Sequence, residues 1–112
     1  MKHFPLILAI ALASAIGLAA GPAKQTFTGV ITDDNCYNGD HSRMRMGPTD
    51  AECTKACIDA HGAQYVLYDG KNSYTLSDQK TPEKFAAKKV KVVGTLDAKT
   101  KTIHVESITA AK

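Results

Sequence analysis

The chain has 112 residues, with 14 Lys and Arg against 11 Asp and Glu, a net charge of +3 with the histidines neutral. That length carries one domain at most, and so even a balance does not mark a nucleic-acid or anionic-membrane binder. Its three cysteines are an odd number, so simple pairing within the chain leaves one thiol over.

Residues 1–20 read as a secretory signal peptide. Lys2 and His3 form a short positive start, Phe4 to Leu18 an apolar run, and Gly17, Ala19 and Ala20 are small residues suited to a signal peptidase. The run is shorter than the ~20 residues a spanning helix needs, so no stable membrane anchor is expected after cleavage. Residues 21–112 are then a single exported domain, periplasmic or secreted. Exported domains of this size bury a modest core and often add a cross-link or a metal.

Within that domain "QTFTGVITD" sets Phe27, Gly29 and Ile31 on one face of a first strand, and its central glycine suggests a bend or bulge. A long insert, residues 33–62, follows. "AQYVLYDGKNSYTLSD" reads as two short strands about a turn at Asp69-Gly70-Lys71-Asn72, with Tyr65, Leu67, Tyr74 and Leu76 alternating. "TPEKFAA" is a short helix with Thr81 as N-cap and Pro82 at its first position. "KKVKVVGTLDAKTKTIHVESI" closes the chain as a hairpin whose core positions are Val90, Val92, Leu96, Ile103 and Val105, with lysines on the other face. His104, between two of these, belongs to the solvent side. The expected fold is mainly β: a small five-stranded OB-fold-like barrel, with a helix-containing insert between strands 1 and 2 and a short helix between strands 3 and 4.

The insert holds all three cysteines, Met44, Met46 and two of the four histidines. Its second half predicts a helix from Asp50 to His61, since Thr49 and Glu52 have capping-box spacing and Gly62 is placed to end it. Cys53, Cys57 and His61 then fall at i, i+4 and i+8, with Cys36 and His41 in the loop before them. Two readings compete. In the first, Cys36, His41, Cys53 and Cys57 form a transition-metal site, with Met44 as a further ligand and Met46 and His61 as additional candidates. Three thiolates and an imidazole suit zinc, while thioether participation shifts the preference toward copper(I). In the second, Cys36 forms a disulfide with Cys53 or Cys57 and staples the insert to the barrel. Asp33 and Asp34 read as a solvated turn, with a role as hard-metal ligands or as supports behind the ligands the lesser alternative. No catalytic constellation is assembled, and a redox enzyme is disfavoured because the spacing is CxxxC.

"GVITDDNC", "H..M.M", "CTKACIDAHGAQYVLYDG" and "KKVKVVGTLD....TIHVESI" together resemble a group of small exported bacterial proteins. The likeness runs from about Thr26 to Ile108. It implies an OB-fold-like barrel and motif positions at Cys36, His41, Met44, Cys53 and Cys57, and it implies no activity; Tyr37 stands where that pattern has a glycine. The function expected from all of this is a small exported binding protein whose partner is a metal ion or small ligand, with zinc or copper(I) as cofactor. The second expectation, from a different class, is a disulfide-stapled interaction module for a peptide or glycan.

Overall fold

The computed structural model describes residues 23–112, and the expected signal peptide lies outside the described residues. Five strands follow one another as β1 (Gln25–Asp33), β2 (Tyr65–Tyr68), β3 (Ser73–Leu76), β4 (Lys89–Asp97) and β5 (Thr102–Ala110). One α-helix, α1 (Asp50–His61), stands between β1 and β2, and a 3₁₀ helix, Thr81–Phe85, between β3 and β4. The sheet is mixed. Its order is β1-β2-β3-β5-β4, and β4 pairs back onto β1. Only β3 and β5 run parallel, through Thr75 opposite Thr102 and Leu76 opposite Ile103.

β1 is long enough to serve two neighbours. Residues Gln25 to Val30 pair with β4 and Val30 to Asp33 with β2. Gly29 sits where the partner changes, and a Cβ there would collide with the carbonyl of Tyr68. The glycine thus permits a close backbone approach instead of the bulge expected of it. The register shift lies in the last hairpin, between Val93 and Gly94. Gly29→Ala is expected to destabilise the domain by about 1–3 kcal/mol, as an overpacked site does, and urea unfolding checks it.

The alternating residues meet as anticipated. Ile31, Tyr65, Leu67, Leu76, Val90, Val92, Ile103 and Ile108 form one buried cluster, with Phe27, Tyr74, Leu96 and Val105 half-buried against it. Ile58 of α1 also packs on this cluster, which ties the insert to the sheet. His104 is exposed, as its place in the pattern implies. The short helix differs in its start: Lys80, not Thr81, is the cap residue, and it makes no side-chain cap bond. The Asp78 carboxylate instead accepts the N–H groups of Lys80 and Thr81, at 2.9 and 3.0 Å. An aspartate that bonds its own chain two residues on competes well with a threonine cap.

Candidate metal centre

α1 begins and ends where the capping signals place it. The Thr49 hydroxyl accepts the Glu52 N–H at 3.1 Å and donates to the Glu52 carboxylate at 3.0 Å. Gly62 closes the helix in the left-handed region, φ 64°. Between these ends Cys53, Thr54 and Cys57 are buried. Thr49→Ala is expected to cost about 1 kcal/mol, the usual loss for an N-cap, read from thermal unfolding.

Cys36 reaches the same place from the end of β1. Asp33 is fully buried, which corrects its reading as a solvated turn. Its Oδ1 accepts the N–H groups of Asn35 and Cys36, both at 3.0 Å, so the chain folds back immediately after the strand. The Thr32 hydroxyl donates to the Cys36 carbonyl at 2.9 Å. Asp34, exposed as expected, pairs reciprocally with Gln64 and closes the neck of the insert: its N–H donates to the Gln64 carbonyl at 3.0 Å and its carboxylate accepts from the Gln64 N–H at 3.2 Å. Beyond Cys36 the loop is held by its own side chains. Asn38 accepts from the Asp40 N–H, and Asp40 accepts from both the N–H and the hydroxyl of Ser42. These turns carry His41 inward until it is 5% exposed.

Cys36, His41 and Cys53 are thereby positioned to hold a metal ion. Each offers one ligand atom, and the three atoms lie within 4.8 Å of one another. Zinc–sulfur bonds of 2.3 Å in a tetrahedron put sulfurs about 3.8 Å apart, so closure needs movements of about 1 Å or less. Among the described residues three buried side-chain atoms have no hydrogen-bond partner: His41 Nδ1, Asp33 Oδ2 and Thr54 Oγ1. Buried polar atoms are normally satisfied, and leaving them bare costs stability. A cation bound through His41 Nδ1 would satisfy that atom, and its positive charge would favour the nearby Asp33 carboxyl. Asp33 also has no ion-pair partner among the described residues.

All three cysteines are free thiols. The alternative pairing of Cys36 with Cys53 or Cys57 is therefore not formed. Burial, with Asp33 next in weight and then Cys53 and Cys57, pushes the Cys36 thiol up from 9.0 to about 12. The Cys57 thiol is also raised, first by burial and then by Asp33. A low-dielectric site beside a carboxylate opposes thiolate charge until a cation arrives. The Cys53 sulfur is held by main chain: it accepts from the Met46 N–H at 3.3 Å and donates to the Met44 carbonyl at 3.4 Å.

No family model, curated protein or solved structure matches the chain. The likeness to small exported bacterial proteins therefore stands on its motif residues alone.

The other candidates divide by distance along the helix. Cys57 is buried one turn beyond Cys53 and interacts with that thiol, with the Asn35 side chain and with Asp33, but it stands outside the group of three. His61 is exposed in the last turn, about 12 Å of helical rise beyond Cys53. Met44 meets the site through its carbonyl, and its side chain is 42% exposed. Met46 meets it through its N–H and is half-buried. Asp33 is buried and acts electrostatically on the Cys36 and Cys57 thiols, the lesser of the two roles its sequence position suggested.

Proposed function

We propose that the chain is an exported metal-binding module in which Cys36, His41 and Cys53 hold one zinc ion. The observation that carries this reading is the mutual approach of three nearly inaccessible donor atoms within 4.8 Å. Charge supports zinc over copper(I). Two thiolates neutralise a divalent ion, whereas a monovalent one leaves a net negative charge buried beside the Asp33 carboxyl, and unpaired buried charge is costly. The two methionines, which favoured copper in the sequence, meet the site with main-chain atoms.

The fold that presents this site is of the OB type. Support comes from the order β1-β2-β3-β5-β4, the parallel β3–β5 contact and the site's place in the connection between β1 and β2. Export rests on the leader read in residues 1–20, and N-terminal sequencing of the exported protein tests it.

Competition of the fully reduced protein with a chromophoric chelator tests the metal. One zinc per chain is expected, bound more tightly than about 1 μM, with Cys36 and Cys53 protected from alkylation. Weaker binding with all thiols confirmed free would end the reading.

A further inference from the structure

Zinc takes four ligands, and Cys36, His41 and Cys53 supply three. No fourth Cys, His, Asp or Glu among the described residues joins that group. A cleft of about 320 Å³ borders it, lined by Asn35, Cys36, Tyr37, Asp40, Arg43 and Met44 among others. Two of these touch the ligand set. Cys36 is itself a donor, and the Met44 carbonyl receives the Cys53 thiol. The cleft therefore borders the site on its Cys36 side. Its volume equals about ten waters at ~30 Å³ each, which suits a small molecule and not a folded partner.

The lining says what kind of molecule. Arg43 forms no ion pair with a carboxylate within 4.0 Å among the described residues. The neighbouring Asp40 is engaged by the N–H and the hydroxyl of Ser42. The Arg43 guanidinium lies in the cleft with Asp40, whose charge it helps to offset, and its planar fork of donors remains open to a ligand carboxylate. At the metal the two thiolates already cancel the zinc charge, so a neutral nitrogen or sulfur donor adds least to the buried charge.

We infer that the fourth coordination position faces this cleft and is filled from it by a small nitrogen- or sulfur-donor ligand that carries a carboxylate, held by Arg43. The inference rests on the metal reading above and names the ligand class of that site.

The test loads the reduced full domain with Co(II), whose visible spectrum reports coordination, and titrates it with imidazole and with imidazole-4-acetate. Both probes should change the spectrum saturably, and the carboxylate-bearing one should bind about 2- to 5-fold more tightly, the range of one accessible charge pair. Arg43→Gln should abolish that advantage while leaving Co(II) affinity unchanged. Met44→Leu should leave the probe-free spectrum as it is. A probe-free spectrum altered by Met44→Leu, or one insensitive to both probes, shows a position closed by the protein and overturns the inference while the metal site stands. An advantage that is absent, or that survives in Arg43→Gln, overturns the ligand class. Failure to bind Co(II) or zinc at all removes the metal reading and this inference together.

Discussion

Adding zinc to the reduced protein is expected to raise its melting temperature by about 15–30 °C. A ligand at a thousandfold excess over its dissociation constant contributes about 4 kcal/mol. In a domain of this size each kcal/mol moves the midpoint by roughly 4–8 °C. The reason is local. Without metal the insert holds His41 Nδ1 and Asp33 Oδ2 buried and unpartnered, and its long loop is fastened mainly by short-range turns. With metal, one ion ties the end of β1, the loop and α1 together. Identical melting profiles with zinc and with excess chelator would refute this.

The effect of pH should have opposite signs in the two forms. In the metal-free protein the Cys36 thiol is raised from 9.0 to about 12, by burial first and then by Asp33, Cys53 and Cys57. A group whose folded value is raised contributes its full stability below the unfolded value and loses it as pH climbs through the folded one. The metal-free domain should therefore weaken between pH 9 and pH 12, by on the order of 4 kcal/mol across the window. Zinc binding goes the other way, because both thiols must release protons to become ligands. Its apparent affinity should rise with pH, approaching roughly a hundredfold per unit near neutrality, and should fail in acid. Calorimetric titration in buffers of different ionisation enthalpy would count the protons released.

The core-facing residues were legible because period-two alternation survives any tertiary context that buries one side of a strand. Phe27, Ile31, Tyr65, Leu67, Val90 and Val92 all pack in or against the core, as their spacing implies. α1 was legible for a different reason: its two ends are encoded locally, by Thr49 with Glu52 and by Gly62. The site was legible in its residue types and in Cys36, His41 and Cys53, but not in the separation of Cys53 from Cys57. Helical spacing places Cys53, Cys57 and His61 on one face, and which of them meets the loop depends on how the insert folds back, a long-range contact that spacing does not encode. Only Cys53 lies level with Cys36 and His41. The buried role of Asp33 is only the lesser reading of its position, since an aspartate at the end of a strand is ordinarily a solvated turn. Its burial follows from the helix that the insert lays over it, a contact between segments far apart in the loop.

That division of the helix leads to the sharpest expected difference among single substitutions. Cys36→Ala and Cys53→Ala should each weaken zinc binding by more than the roughly 10- to 100-fold that loss of an outer partner costs. Cys57→Ala should fall inside that range, although it carries the same side chain on the same helix. Cys57 interacts electrostatically with Cys53 and Asp33 without joining the three-atom group. Its loss removes a buried neighbour that helps hold Cys53, not a ligand. The metal-free stabilities should not follow this order. Cys53 and Cys57 are both fully buried, so either truncation should cost on the order of 1–2 kcal/mol of packing. Measuring affinity and metal-free stability on the same variants separates the two contributions. If Cys57→Ala lost as much zinc affinity as Cys53→Ala, Cys57 would be the fourth ligand, and the coordination position assigned to the cleft would already be occupied by the protein.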